Sequence, residues 1–291
     1  MQIGKLFHLT MLVDELEGPE KFFNSIFSPM CTMHGYSSHW HRHAAIFVIA
    51  ETSIEPMHVL PPREGEEATS WYRFMERYGP RVHNLAFYVD DPDELADRLQ
   101  AAGVRTTRAG TGSTVFAHPR DTPGMLEFSP SSGMLPEPRA TPSWDAFRRE
   151  YWPNHPLHLE RMSHITILVR DLEQATSFYT GVLDATLLPE TAATLPGTHC
   201  RYVLVGEDTV VELARPSDGS SALGRELHEV GQSAVVATFK VRDVAAAEQH
   251  LRNWEAPVAA VEPTCIVLDR KETWGLEFRF TDTPLRGDPR D

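Results

Sequence analysis

Phe7-His8-Leu9-Thr10-Met11-Leu12-Val13, near the start of the chain, is matched in its second half by Ser163-His164-Ile165-Thr166-Ile167-Leu168-Val169. The residues after each segment match too. Glu15-Leu16-Glu17 corresponds to Asp171-Leu172-Glu173, and Phe22-Phe23 to Phe178-Tyr179. Two weaker copies are Asn84-Leu85-Ala86-Phe87-Tyr88-Val89-Asp90-Asp91 and Val236-Ala237-Thr238-Phe239-Lys240-Val241-Arg242-Asp243. Such repetition sets the architecture before any site is considered.

Each copy opens on period-two alternation, the mark of a strand with two distinct faces. In the first copy Leu9, Met11 and Val13 share one face, and His8, Thr10 and Leu12 the other. Amphipathic helices are predicted over residues 19–27, 93–102, 172–183 and 244–254, with Gly103 as a C-terminal cap. Apolar, β-prone runs come next, at 44–50, 114–117, 202–205 and 266–268. Each copy then closes on a strand carrying a glutamate: Glu55, Glu127, Glu212 and Glu277. The predicted class is α+β, with four β-α-β-β-β modules paired into two curved-sheet domains. The expected boundaries are 1–130 for the first domain, with a helical insert at about 66–78, and 159–285 for the second. Residues 131–158 form a Pro-rich linker, and residues 286–291 a tail. The sequence leaves open whether modules one and two pair, or one and four.

The net charge of −14 argues against a phosphate backbone as partner, so no nucleic acid is expected. No apolar run is long enough for a membrane span, and the first residues do not resemble a signal peptide. Three scattered cysteines, Cys31, Cys200 and Cys265, give neither a disulfide framework nor zinc spacing. The expectation is a cytoplasmic protein acting on a small molecule. A homodimer is the expected assembly if the chain self-associates.

With these modules, and with Phe116-Ala117-His118-Pro119-Arg120-Asp121-Thr122-Pro123-Gly124-Met125-Leu126-Glu127, the chain resembles the vicinal oxygen chelate superfamily of glyoxalases, bleomycin resistance proteins and extradiol dioxygenases. That segment is most similar to the methylmalonyl-CoA epimerase-like branch. The resemblance implies a divalent metal in the concave sheet, held by residues of the first and last strands of paired modules. Mn, Fe, Co, Ni and Zn all suit such nitrogen and oxygen donors.

If the apolar face of each first strand packs on the helices, His8 and Asn84 face the cleft of the first half. With Glu55 and Glu127 they form the expected metal set. His83 lies one residue out of phase. A β-bulge would bring it in place of Asn84 and create a two-histidine, one-carboxylate triad. The second half offers His164, Glu212 and Glu277, but Val236 stands at its fourth position and cannot ligate. The first half is therefore the expected site.

In the histidine-rich stretch an extended 39–43 would put His39, His41 and His43 on one face and Trp40 and Arg42 on the other. His41 is then a candidate proton shuttle at the cleft rim, or part of a polar sheet edge. His199 is a further acid–base candidate by analogy with extradiol dioxygenases. Glu55 and Glu127 are candidate bases.

Three functions are compatible with these residues. One is a metal-dependent isomerase, epimerase or lyase working through an enolate-like intermediate. Another is an extradiol dioxygenase with non-haem iron. That branch places its iron in the second half and needs a histidine where Val236 stands. The last is a metal-free protein that binds or sequesters a small molecule.

Overall fold

The computed structural model describes residues 1–109, 112–130 and 142–290. Each half builds one eight-stranded sheet. The first contains β1 (Ile3–Leu12), β2 (Met30–Ser37), β3 (Arg42–Ile49), β4 (Thr52–Val59), β5 (Arg81–Val89), β6 (Thr106–Ala109), β7 (Thr114–Ala117) and β8 (Leu126–Pro130). Their spatial order is β2-β3-β4-β1-β5-β8-β7-β6. Module one therefore pairs with module two, which decides between the two pairings the sequence allows. The second half repeats this with β9 (Leu159–Leu168), β10 (Thr186–Leu187), β11 (Thr198–Val205), β12 (Thr209–Pro216), β13 (Ala234–Val241), β14 (Val258–Glu262), β15 (Cys265–Leu268) and β16 (Glu277–Thr281), in the order β10-β11-β12-β9-β13-β16-β15-β14.

The predicted helices form: α1 (Glu17–Phe27), α3 (Pro92–Ala101), α5 (Leu172–Gly181) and α7 (Val244–Asn253). Asp91, Asp171 and Asp243 cap α3, α5 and α7 by accepting from first-turn amides. Gly103 follows α3 at φ +79°, a conformation that costs a residue without Cβ little. The insert is the helix α2 (Ser70–Tyr78), shorter than expected, and α6 (Ala222–Glu229) is its counterpart in the second half.

One difference lies in the Pro-rich stretch. Residues 142–154 form a helix, α4 (Pro142–Asn154), and residues 131–141 lie outside the described set. Proline at the first helical position removes only an amide that would have no partner there, and Pro153 falls in the last turn. Trp152, fully buried, anchors the helix in the core.

The helices α1, α3, α5 and α7 contribute to the layer between the two sheets, whereas α2 and α6 pack on the cleft side. Phe23 and Phe27 of α1 pack edge-on or tilted against Phe239, Phe278 and Phe280 of the second sheet. In return, Tyr179 of α5 donates to the Pro123 carbonyl of the first half, at 2.9 Å. One continuous hydrophobic core spans both halves. Apolar faces turned toward this shared layer leave the polar face of each sheet pointing outward into its own concavity.

Candidate functional site

Four central strands of the first sheet build the cleft. Backbone pairing puts Glu55, Thr10 and Asn84 in one row and His8, Ala86 and Glu127 in the next. Residues in one row share a face, as do residues two apart on one strand. The short Ala86 leaves open space between His8 and Glu127. All of these polar residues line one cavity of about 200 Å³, walled by Phe7, Trp40, Trp71, Phe116 and Met57.

His8 Nε2 lies 3.4 Å from Glu55 Oε2 and 3.9 Å from Glu127 Oε2. The Thr10 hydroxyl donates to Glu55 Oε2 at 3.0 Å, and Arg42 Nη2 pairs with Glu55 Oε1 at 3.2 Å. Asn84 Nδ2 donates to Glu127 Oε2 at 3.0 Å. Burial, reinforced by the nearby Glu55 charge, pushes the Glu127 carboxyl up to about 7. Glu55 is fixed by two donors, whereas Glu127 is the more exposed of the two carboxylates.

The bulge anticipated at His83 exists. Thr10 pairs with Asn84 and Met11 with Val82, so His83 is the extra residue. It does not replace Asn84. Its ring packs against Trp71 and Phe74, and its Nδ1 lies 2.7 Å from Asn84 Oδ1. Burial lowers its imidazole to about 4, so it stays neutral and Nδ1–H donates. Asn84 is thus oriented with its carbonyl toward His83 and its NH₂ toward Glu127. It positions a carboxylate, and its oxygen does not face the other donors as the expected ligand role requires.

The histidine-rich stretch also departs from expectation. Residues 38–41 form the turn between β2 and β3, and His41 adopts φ +49°. The face carrying Trp40 and Arg42, in phase with Ile46 of β3, is the one that enters the cleft. The His41 ring instead meets the Tyr36 hydroxyl at 3.1 Å, on an exposed segment. Sequence reasoning missed Arg42. Its guanidinium lies over the Trp71 ring, 5.2 Å from the centroid, and it also contacts Met57 Sδ. The signal that could have found it is a cation beside Trp40 in a turn-length segment between two strands.

The second cleft is filled from within. Thr194 Oγ1 lies 2.7 Å from His164 Nε2, and the Thr194 amide donates to Glu212 Oε1 at 2.8 Å. Burial lowers His164 to about 4. His164 Nε2 and Glu212 Oε2 are 3.8 Å apart, and Val236 packs with Leu195 of the same loop. Glu277 is not the counterpart of Glu127. His8 pairs with Ala86, which pairs with Glu127; His164 pairs with Thr238, which pairs with Arg279. An arginine therefore stands where the first half has its carboxylate. Arg279 Nη1 donates to the Thr194 carbonyl at 2.9 Å, and its Nε pairs with Glu277 at 2.5 Å. His199, on β11, is exposed and its neighbour Arg201 pairs with Glu173 of α5, so this side of the strand faces away from the cleft.

Residues 6–135 match the family model of a glyoxalase-like domain, and residues 161–265 that of the glyoxalase/bleomycin resistance protein/dioxygenase superfamily. The chain belongs to this superfamily. A variant of 4-hydroxymandelate synthase from Streptomyces coelicolor aligns with 98% of this chain and 94% of its own, at a TM-score of 0.68 and 15% identity. A hypothetical protein from Staphylococcus aureus covers 98% of this chain and 100% of its own, at 0.57 and 13%. Methylmalonyl-CoA epimerase from Mycobacterium tuberculosis covers 43% of this chain and 87% of its own, at 0.37 and 23%. These identities speak to fold alone. No curated protein matches the chain. No helix among the described residues is long and apolar enough to cross a membrane.

Superfamily relatives use a divalent metal, and the donor chemistry here suits one. Two ligands sharing an ion through bonds of roughly 2.1 Å stand about 3 Å apart. His8, Glu55 and Glu127 approach that spacing, and the second carboxylate sits where burial makes a lone negative charge costly. Among the described residues no three His, Cys, Asp or Glu side chains close around one point at bonding distance. Holding an ion here requires the side chains to draw in, His8 and Glu127 by about 1 Å.

Proposed function

We propose that the first-half cleft binds a small, oxygen-bearing molecule and moves a proton at a carbon next to a carbonyl, as an isomerase, epimerase or lyase does. The observation that carries this reading is Glu127: a half-buried carboxyl near neutrality, oriented by Asn84, opening onto an apolar-walled cavity beside His8. A group poised near the working pH is the efficient proton carrier. His8, Glu55 and Glu127 are the residues that would hold a divalent ion, here Mn, Fe, Co, Ni or Zn. Such an ion supplies Lewis-acid polarisation of substrate oxygens.

The remaining roles fall to the chain itself. His83 and Asn84 hold Glu127 Oε2. Thr10 and Arg42 hold the Glu55 carboxylate group in place. Trp40, Trp71 and Phe116 exclude water from the cavity. The Arg42 guanidinium carries five N–H donors, and the ion pair with Glu55 and the hydrogen bond to Met57 leave others to meet negative charge on the substrate. A cavity of about 200 Å³ lies below the roughly 300–1,000 Å³ of sites for drug-sized ligands, which favours a compact substrate.

A second reading is a metal-free binding cleft. The Arg42–Glu55 pair favours it, because a fixed cation already neutralises one of the two carboxylates. The non-haem iron reading is weaker in this half, since His83 is turned under α2 and leaves one histidine in the cleft.

Metal analysis of protein purified without added metal, paired with deuterium exchange into small 2-oxo and malonyl-type acids, tests the proposal. Stoichiometric metal and exchange that disappears in Glu127→Gln support it. Tight ligand binding with neither metal nor exchange replaces it with the second reading.

A further inference from the structure

A second cavity, of about 300 Å³, lies in the crevice between the two halves. Four elements far apart in sequence supply its charged wall: Arg77 from α2, Arg120 from the β7–β8 connection, Arg170 from the β9–α5 junction, and His228 and Glu229 from α6. In a chain with 41 acidic and 27 basic residues, three guanidinium groups around one carboxylate reverse the prevailing sign.

Among the described residues, arginines such as Arg42, Arg98, Arg270 and Arg290 stand in ion pairs. Arg77, Arg120 and Arg170, like Arg73, Arg215 and Arg225, pair with no described carboxylate; what sets these three apart is that they share one cavity. The Arg77 guanidinium lies over the Tyr78 ring, 5.1 Å from its centroid. Arg170 Nη2 lies 3.5 Å from where a Cβ on Gly231 would stand, which puts the guanidinium against the α6 side of the wall. Three like charges gathered from three elements repel one another, and the single carboxylate of Glu229 offsets only one of them.

We infer that this crevice is a binding site for a multiply charged oxyanion, a phosphate group or a dicarboxylate, distinct from the candidate catalytic cleft. Planar guanidinium forks match the paired oxygens of either group. The site draws on both halves, so it exists only when the two sheets are packed together. His83 forms part of its wall, and the same residue holds Asn84 in the first-half cleft. The two sites are therefore neighbours, separated by one hydrogen-bonded pair.

The test uses the full chain. Inorganic phosphate and succinate are titrated calorimetrically at constant ionic strength, with chloride as reference. Arg77, Arg120 and Arg170 are exposed, so Arg120→Gln, Arg170→Gln and their double variant should fold as the parent does, which thermal melts verify. Arg149→Gln, on the exposed face of α4, is the control. The expected result is saturable binding of phosphate or succinate, weakened about tenfold by each single change, abolished in the double variant and untouched by the control. Preference between the two probes identifies the oxyanion. Heats no larger than those of chloride, or equal affinity in the double variant, overturn the inference.

Discussion

Glu127→Gln should make the protein more stable at alkaline pH while leaving it nearly unchanged in acid. In the folded chain burial and Glu55 raise the carboxyl to about 7, against an ordinary value of 4.5. Folding therefore favours the protonated form. The stabilisation from that proton is complete below pH 4.5 and is lost as pH rises through 7. At about 1.4 kcal/mol per pH unit, the loss across that window is about 3 kcal/mol. Glutamine keeps the shape and can still accept from Asn84 Nδ2 and donate toward Ser129, 3.4 Å from Glu127 Oε1. Without the charge, it does not bear that loss. Urea denaturation of metal-free parent and variant at pH 4.5, 6, 7 and 8.5 measures the difference directly. The variant should gain about 3 kcal/mol on the parent between the ends of the series. A difference that stays flat across pH would show that Glu127 is ionised throughout, and the proton-transfer role would lose its basis.

His8→Ala should abolish divalent-metal uptake measured by elemental analysis, whereas His164→Ala should leave metal content unchanged because Thr194 already occupies that cleft. Equal loss in both variants would refute the assignment to the first half. Arg42→Met strips the ion-pair partner from buried Glu55 and should cost about 3 kcal/mol in urea unfolding, with Arg42→Lys recovering part of it; a neutral outcome would mean Glu55 is not charged. Trp152→Ala should cost about 3–5 kcal/mol by emptying a fully buried site, and a smaller loss would show that α4 is peripheral to the shared core.

Local pattern was readable wherever near neighbours specify the structure. Period-two alternation assigns each side chain to a face, and so His8 and Asn84 are placed in the cleft by alternation alone. The capping aspartates and the apolar spacing likewise marked the helices. Local pattern failed where it could not say which face turns inward or where a bulge resets the phase. At residues 38–42 the face of Trp40 and Arg42, not that of His41, enters the cleft, and the bulge at His83 turned a would-be ligand into a support for Asn84. The Leu-Glu-Phe motif misled in a different way. It occurs at both Glu127 and Glu277, yet strand pairing aligns Phe128 with Phe280, so Arg279 takes the carboxylate's place.

The linear order of residues was therefore enough for the four-module repeat, the α+β class and the inward face of each first strand, because all three depend on neighbours a few residues apart. Packing in three dimensions was needed to choose which modules share a sheet, to clasp α1, α3, α5 and α7 between two sheets, to close the second cleft with Thr194 and Arg279, and to bring three unpaired arginines together across the crevice. Those outcomes depend on register and long-range contacts. A shift of two residues along a strand keeps the same face toward the core and leaves no trace in the local pattern.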